Sequence, residues 1–403
     1  MIPVTEAFKH VTDNVFLTGS EDVPVKECLG RVLAQDIASR LSHPPVAVSS
    51  MDGYALRAAD TENTPAVLKR IGESQAGGGF AGTVGAGETV RIFTGAPLPA
   101  GADAVQMQEK VEADGDSVNI LESVPVDRFV RAAGMDFAEG DILIKAGTVL
   151  GARHIGLAAA MNQPTLPVRR KPRVAILATG NEVALPGTDL GPSQIISSNS
   201  FALHSYVTAM GGEPVDLGIA GDTEEELHAA IKGARDCDVL VTIGGVSVGD
   251  YDLVGKVLIE EGLNQIFHKI AMRPGKPLLF GKIGELTVFG MPGNPVSTGV
   301  CSMLYLKRAM MVMLGIDINE PVQTAVLGED LAENDLRQDY LRARLKISDD
   351  GERIAMPFSR QDSAMQARFA EADCLIVRKP HAQALKAGER VEILTLNRSM
   401  ISL

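Results

Sequence analysis

Apolar strand-like runs alternate with helical runs over residues 169–318, and this alternation constrains the fold more than any other feature of the sequence. Arg173–Ala178 and Asp238–Ile243 are largely apolar, and a helical pattern over Glu224–Arg235 lies between them. Strands that are apolar on both faces and connected through helices are typical of a mostly parallel sheet, doubly wound with helices. Ligands of such sheets bind outside the carboxyl ends of the strands, so functional residues are expected in the loops that follow the strands.

The rest of the chain has a different character, and its 403 residues exceed what one core usually supports. Residues 1–45 and 141–168 predict a discontinuous helical linker domain, with a helix near residues 4–17 and a second helix soon after Val25. Residues 46–140 are rich in glycine and short apolar runs, which predicts a small β-rich inserted domain. Residues 319–403 predict a C-terminal β domain. The predicted fold class is therefore multidomain α/β plus β.

The net charge limits which molecules the protein can bind, and the cysteine content indicates the cellular compartment. The formal net charge of −13 disfavours binding to nucleic acid or to an anionic membrane. The one dense basic run, residues 169–173, contains a proline and is interpreted as a solvated linker before a strand. Four cysteines lack metal-ligand or disulfide spacing, no signal peptide is recognised at the N-terminus, and no apolar stretch is long enough to span a membrane. These features predict a cytoplasmic protein.

The loop Gly244–Asp252 has the strongest local signal for ligand binding. Its glycines, Gly244, Gly245 and Gly249, allow backbone N–H groups to approach a phosphate, and the helix that follows adds a partial positive charge. Carboxylates in the loop offer the oxygen ligands that Mg²⁺ prefers. A tight strand-to-helix turn without a ligand is the alternative interpretation.

Ser247 lies in a G-x-S-x-G pattern within this loop, which is also the pattern of a nucleophile elbow. A hydrolase would need a histidine further along the chain. His268 lies in a strand-like run and His381 in the C-terminal β domain, so the pattern does not favour an acyl-transfer nucleophile.

Three further loops carry polar groups at predicted strand ends. Glu182 follows the first parallel strand and is a candidate for metal or ribose binding. Arg273 and Lys276 lie on a proline-stiffened turn that suits two neighbouring oxyanions. The segment Pro292–Ser297 begins a helix after the last strand, with Asn294 as N-cap, and its N–H groups suit an anion. In an acidic protein, this set of loops predicts a phosphate-bearing small-molecule ligand.

These residues occur together in one known family. The chain resembles the molybdopterin molybdenumtransferase family, whose animal relatives form the E domain of gephyrin, essentially from end to end. The resemblance rests on segments that occur in the family's order: Ser50–Ala55, Phe93–Pro99 with Gly101–Val105, Thr179–Glu182, Gly244–Asp252, Pro274–Pro277 and Pro292–Ser297.

The resemblance implies an elongated homodimer that inserts molybdate into adenylylated molybdopterin and releases AMP, using Mg²⁺ and exchanging substrate and product with other proteins of molybdenum cofactor biosynthesis. It implies metal ligands at Glu182, Asp222 and Asp252. The catalytic residues that it implies are Asp52, Thr94, Asp136, Asp222, Arg273 and Lys276. The substrate-binding residues that it implies are Gly244, Gly245, Ser247, Gly249, Pro292, Ser297, Arg342 and Ser363.

Two residues depart from the family pattern. Arg273 stands where lysine is common, and the two side chains bind oxyanions differently. Asn181 stands where aspartate is common, which removes one negative charge near the expected metal.

Two other functions are alternatives to molybdenum insertion. A gephyrin-like scaffold is disfavoured by the intact candidate site and by the absence of an appended domain, and the preceding adenylylation step by the three additional predicted domains.

Overall fold

The computed structural model describes residues 1–245, 253–318 and 322–396. Within these ranges the chain forms three six-stranded sheets, connected by short two-stranded ribbons. No helix in these ranges is both long enough and apolar enough to cross a membrane. The predicted mixture of α/β and β parts is confirmed at this level, whereas the exact domain boundaries stay predictions.

The chain begins with a helix that packs into the core of the α/β part. The first four elements are α1 Val4–Asp13, β1 Ser20–Pro24, β2 Ile37–Ala38 and β3 Val48–Ser49. Val4, Ala7 and Val11 on one face of α1 are buried in the same cluster as strands of the α/β sheet. Because these residues recur at helical spacing, α1 gains its stability from this apolar face.

The second helix predicted after Val25 is wrong, because Val25–Glu27 forms only a 3₁₀ turn. The backbone N–H of Val25 donates to the carbonyl of Pro164 (3.0 Å), at the end of the pairing between β1 and a distant strand. This long-range pairing outweighs the local helical pattern.

A six-stranded sheet forms the inserted β-rich part. Its strands are β4 Gly53–Leu56, β5 Ala66–Ser74, β6 Glu88–Ile92, β7 Ala104–Met107, β8 Val111–Asp114 and β9 Ser117–Ile120. The order across the sheet is β7-β4-β6-β5-β9-β8. A Cβ atom on Gly53 would lie 1.9 Å from the carbonyl oxygen of Gln106, so glycine is required where β4 starts against β7.

The chain returns from this sheet along the path by which it entered. The returning elements are β10 Val130–Arg131, β11 Ile142–Ile144, α2 Ala152–Ala160 and β12 Thr165–Arg169. They pair antiparallel with the outgoing strands as β3–β10, β2–β11 and β1–β12. Apolar residues from both segments, including Leu33, Ile144 and Leu166, share one buried cluster. This pairing explains why the helical linker region is discontinuous in sequence.

The α/β part contains the second six-stranded sheet. Its elements are β13 Arg173–Thr179, β14 Val183–Ala184, β15 Ile195–Ile196, α3 Ser198–Ala209, β16 Glu213–Ala220, α4 Glu224–Lys232, β17 Val239–Ile243, α5 Leu253–Glu260, β18 Asn264–His268, β19 Met272–Arg273, β20 Leu279–Ile283, β21 Leu286–Met291, α6 Pro295–Cys301 and α7 Lys307–Leu314. The order is β16-β13-β17-β21-β20-β18, and apolar clusters cover both faces.

Four neighbouring strands of this sheet pair in parallel, and β20 runs in the opposite direction to the other five. β16, β13, β17 and β21 run parallel, whereas β20 and β18 are antiparallel to their neighbours. Only Gly284 and Glu285 connect β20 to β21, and Gly284 has φ +59°. A two-residue connection makes a hairpin, because a parallel crossover needs a dozen or more residues.

The C-terminal part closes on itself as a small barrel. Its elements are β22 Gln323–Leu327, β23 Gln338–Ile347, β24 Arg353–Pro357, α8 Gln366–Ala370, β25 Cys374–Arg378 and β26 Arg390–Thr395. The order β23-β24-β22-β26-β25 is closed by pairing of β25 with β23, and β19 of the α/β part adds to β23. Closure leaves few exposed strand edges, and β19 ties the barrel to the α/β part.

Asp238 fastens the basic linker to the amino end of the α/β sheet. Its carboxylate accepts a bidentate pair of hydrogen bonds from Arg170 (2.8 and 2.9 Å) and another from the backbone N–H of Arg173 (2.7 Å). Burial raises the pKa of Asp238, but these hydrogen bonds outweigh burial and hold the pKa below its ordinary value. The basic run is therefore a structural linker.

We expect Asp238→Asn to lower the free energy of unfolding by about 1–3 kcal/mol at neutral pH, because the charged bidentate pair is lost. A depressed pKa stabilises the fold above the unfolded pKa of about 4 and loses that effect as pH falls through the folded pKa. Denaturant unfolding should therefore show the difference from the unmodified chain shrinking below about pH 4. Asp236→Asn, at a neighbouring exposed residue, is the control, and a pH-independent difference would contradict the assignment.

Candidate active site

The carboxyl ends of β13, β17 and β21 bring three predicted loops together. Thr179 at the end of β13 donates its hydroxyl hydrogen to the carbonyl of Ile243 on β17 (3.0 Å). The N–H of Gly244 donates to the carbonyl of Met291 on β21 (3.1 Å). A Cβ atom on Gly293 would lie 4.0 Å from the Cα of Gly244. The loops that follow these three strands therefore form one continuous surface, as expected for a parallel sheet.

Gly244 and Gly245 need glycine for two reasons. Both have positive φ, +89° and +62°, which side chains other than glycine rarely adopt. A Cβ atom on Gly245 would also lie 2.3 Å from the Cγ2 of Val254, so Gly245 packs directly against α5. The other predicted residues of this loop, Ser247, Gly249 and Asp252, lie outside the described residues.

An acidic edge borders this surface at the ends of β13 and β16. The N–H of Asn181 donates to Asp222 (3.2 Å), and the N–H of Asp222 donates back to the side-chain oxygen of Asn181 (3.3 Å). Glu182 curls over Gly180, where a Cβ atom would lie 2.4 Å from the Glu182 Oε2. The structure thus brings the loops of Glu182 and Asp222 together. In residues 1–245, 253–318 and 322–396, no group of three or more histidines, cysteines or carboxylates has metal-binding geometry.

Two polar residues of this surface were not predicted from the sequence. Glu226 accepts a hydrogen bond from the N–H of Gly221 (2.6 Å), and Asn199 at the start of α3 donates to the carbonyl of Gly293 (2.7 Å). A signal for Glu226 was present, because Thr223 and Glu226 have the spacing of a capping box and the hydroxyl of Thr223 accepts from the N–H of Glu226. Asn199 lies far from Gly293 in sequence, and no local pattern connects them.

Ser363 of the C-terminal barrel reaches the start of α6. Asn294 donates its side-chain N–H to the Oγ of Ser363 (2.8 Å), and the N–H of Val296 donates to the Ser363 carbonyl (3.1 Å). Ser297 lies one residue further and is only 5% exposed, and Pro292 is also buried. One of the N–H groups predicted for an anion is therefore already bonded to the barrel, so Ser363 and Asn294 present the exposed polar atoms here.

Arg342 was expected to contact substrate, but its side chain is 1% exposed. Its Nε donates to Gln361 (3.2 Å), and its Nη1 donates to the carbonyl of Asp362 (2.8 Å). Burial lowers the pKa of the Arg342 guanidinium. Arg342 holds the loop that ends in Ser363, because these donors are bonded within the barrel, and its contact with substrate stays a prediction.

Arg273 and Lys276 differ in how their charges are used. Arg273 forms a bidentate ion pair with Asp339, with an Nε–Oδ1 distance of 2.9 Å, and also contacts Asp335 (3.3 Å). The hydrogen bond to Asp339 raises the pKa of Arg273. Lys276 is exposed, and across the part of the chain that the structure describes it forms no ion pair. Lys276 is therefore the available cation of this turn.

Asp52 and Thr94 are joined directly in the β-rich part. Oδ1 of Asp52 accepts hydrogen bonds from the N–H (2.8 Å) and the hydroxyl (2.9 Å) of Thr94, and these bonds hold the pKa of Asp52 below its ordinary value. Asp136 is exposed, and its N–H donates to the carbonyl of His43 (3.0 Å). Asp136 thus lies beside the isolated bridge between His43 and Phe137, after β10 in the chain.

Three family models match successive parts of the chain. The MoeA N-terminal region (domain I and II) matches residues 2–162, a probable molybdopterin binding domain matches residues 175–311, and the MoeA C-terminal region (domain IV) matches residues 324–396. The loops that meet at the carboxyl ends of β13, β17 and β21 all lie within the second match.

Similar proteins span nearly the whole chain. A molybdopterin molybdenumtransferase from Nostoc sp. is 34% identical over 377 residues, covering 91% of this chain and 86% of its own length. One from Haemophilus influenzae is 32% identical, covering 95% of both. A solved structure of a molybdopterin biosynthesis MoeA protein from Pyrococcus horikoshii has a TM-score of 0.87 at 34% identity, covering 98% of this chain and 99% of that chain. These findings confirm the resemblance, and the chain belongs to the molybdopterin molybdenumtransferase family.

Proposed function

We propose that this chain inserts molybdate into adenylylated molybdopterin and releases AMP, as the last metal-insertion step of molybdenum cofactor biosynthesis. The observation that carries the proposal is the continuous loop surface at the carboxyl ends of β13, β17 and β21, whose segment after β21 contacts Ser363 of the barrel through Asn294. The matches to the MoeA N- and C-terminal regions favour the insertion step over the preceding adenylylation.

The glycine loop after β17 suits the phosphate groups of the substrate. Gly244 and Gly245 have positive φ and leave the backbone without side chains, so a phosphate can approach closely. Gly293 lies against Gly244 and extends this uncovered backbone to the start of α6. The first catalytic contribution of the chain is therefore to orient the adenylylated pterin.

Molybdate, a dianionic substrate, suits the polar groups of the turn after β19 and of the segment after β21. Lys276 supplies an available positive charge, and the hydroxyl of Ser363 and the amide of Asn294 supply neutral hydrogen-bonding groups. The two dithiolene sulfurs replace two molybdate oxygens, which leave with the thiol protons as hydroxide or water, and water hydrolyses the bond between the two phosphates so that AMP leaves. Neither step needs a nucleophile from the protein. The second contribution of the chain is to hold molybdate against the dithiolene.

A magnesium ion fits the acidic edge by donor chemistry. Glu182 and Asp222 are exposed carboxylates in neighbouring loops, and Asp252 is the third proposed ligand. Mg²⁺ prefers such oxygen ligands and is usually held by one or two carboxylates together with substrate phosphates. When bound, it would neutralise charge on the phosphate that joins the pterin to AMP.

The proposal has three further parts that rest on family membership. They are the homodimer, the cytoplasmic location and the exchange of substrate with other biosynthesis proteins.

The proposal is tested by measuring AMP release from adenylylated molybdopterin by the purified chain, with molybdate and Mg²⁺ each added or omitted. Release that depends on molybdate and yields a molybdenum-loaded pterin is the expected result. Release that ignores molybdate, from a correctly folded chain, would contradict insertion. Formation of adenylylated pterin from ATP would assign the preceding step instead.

Lys276→Ala should raise the molybdate concentration for half-maximal rate by about 10- to 100-fold, because one charge-assisted contact worth roughly 1.5–3 kcal/mol is lost. A molybdate titration at saturating pterin measures this shift. Lys26→Ala removes an exposed lysine of the linker region and is the matched control. An unchanged half-saturation point in Lys276→Ala would remove Lys276 from the molybdate site.

Thr94→Val should move the acidic limb of the pH–rate profile to higher pH. The Thr94 hydroxyl is one of two donors that lower the pKa of Asp52, so its loss raises that pKa, and the carboxylate becomes protonated at a higher pH. Thr94→Ser keeps the hydroxyl and should leave the limb in place. A limb that does not move in Thr94→Val would show that ionised Asp52 does not limit turnover.

A further inference from the structure

Arg273 bridges two parts of the chain that are far apart in sequence. It ends β19 in the α/β part, and its partners Asn334, Asp335 and Asp339 all belong to the C-terminal region. Two carboxylates thus surround one guanidinium, and Asp339 is bonded to both its Nε and its Nη2. An oxyanion at this edge of the guanidinium would have to displace a bidentate carboxylate and approach a second negative charge, that of Asp335.

Asp339 is well placed to hold this bridge. Its residue is 5% exposed, and on β23 it lies opposite Arg273 of β19 and Arg378 of β25. The N–H of Gln338 donates to the carbonyl of Ala271 (2.9 Å), so the backbone joins the two parts at the same place. A buried carboxylate that is paired with Arg273 is a fixed partner, because breaking this pair leaves a buried charge unpaired.

The same strand also determines where Ser363 lies. Arg342 follows Asp339 by three residues on β23, about 10 Å along a strand. It holds the loop of Gln361 and Asp362, and the next residue, Ser363, bonds Asn294. β23 therefore carries two attachments, one to the turn of Lys276 and one to the loop of Ser363.

The turn of Lys276 is also packed against the α/β part. The N–H of Ile270 donates to the Lys276 carbonyl (2.9 Å), and a Cβ atom on Gly275 would lie 2.6 Å from the Sγ of Cys301 at the end of α6. Gly275 has φ +100°, so this contact requires glycine. The turn is thus held on one side by α6 and on the other by Arg273 and β23.

We propose that Arg273 is a positioning residue in this chain and not an oxyanion ligand. Its ion pair with Asp339 holds β23 against the turn of Lys276, so that Lys276 and Ser363 keep the spacing at which they act on one substrate. Arginine suits this role better than the lysine common in the family, because only its fork engages both carboxylate oxygens. The positioning effect on catalysis rests on the proposed function, whereas the structural coupling does not.

The decisive experiment compares Arg273→Gln, Asp339→Asn and the double variant in the full-length chain. Turnover number and molybdate half-saturation are measured separately, and amide hydrogen exchange is followed over residues 272–277 and 338–342. Each single variant should speed exchange in both segments by about tenfold or more and lower the turnover number. The double variant should resemble the single variants, because both remove the same interaction.

The direction of the molybdate shift separates the two roles. A positioning role moves half-saturation upward in both single variants. A ligand role raises it in Arg273→Gln but lowers it in Asp339→Asn, which frees the cation, and this pair of opposite shifts would overturn the proposal. Arg337→Gln, which removes another arginine beside Asp335, should change each quantity by less than about twofold and is the control.

A conservative variant guards against loss of folding when buried Asp339 is altered. Arg273→Lys keeps the positive charge but loses the guanidinium that binds both carboxylate oxygens of Asp339. Faster amide exchange and a lower turnover number than in the unmodified chain are therefore expected. Unchanged exchange and turnover in Arg273→Lys would overturn the positioning role. If the unmodified chain shows no molybdate-dependent AMP release, the proposed function fails, and the exchange measurements still decide whether Arg273 couples the two segments.

Discussion

The site depends on three parallel strands that end at the same edge of one sheet. β13, β17 and β21 are buried almost throughout, so their direction and register are set by packing on both faces. Their loops then have little freedom: Gly244 is bonded to Met291 and lies beside Gly293, and any other residue at Gly244 would strain the backbone at its φ of +89°. The open backbone that suits a phosphate is therefore a consequence of how the sheet is packed.

Patterns that are local in sequence predicted the elements of this sheet well. β13 and β17 each differ from their predicted apolar runs, Arg173–Ala178 and Asp238–Ile243, by one residue. The antiparallel β20 was not anticipated, although the two-residue connection through Gly284 is a hairpin signal. The core that α1 joins could not be predicted, because helical periodicity identifies an apolar face and does not identify its partner.

The sequence predicted which side chains have the chemistry of a binding site, and the structure shows which residues these side chains contact. Arg342 and Arg273 both have the chemistry of oxyanion ligands, yet one is buried against Gln361 and the other is paired with Asp339. Neither partner lies near its arginine in a local motif, since Asp339 is 66 residues from Arg273. A cation's availability depends on long-range contacts, so the distinction between these arginines and exposed Lys276 requires the fold.

The C-terminal barrel therefore has a part in the site although it contributes few exposed groups to it. Ser363 reaches α6 only because Arg342 holds its loop, and Arg342 lies on the strand that Arg273 joins to the α/β part. Barrel closure, through pairing of β23 with β25, makes this strand a rigid support for both attachments. A substitution inside the barrel would thus alter the structure at the start of α6, 40 or more residues away in sequence, even if it replaced no atom that faces the substrate.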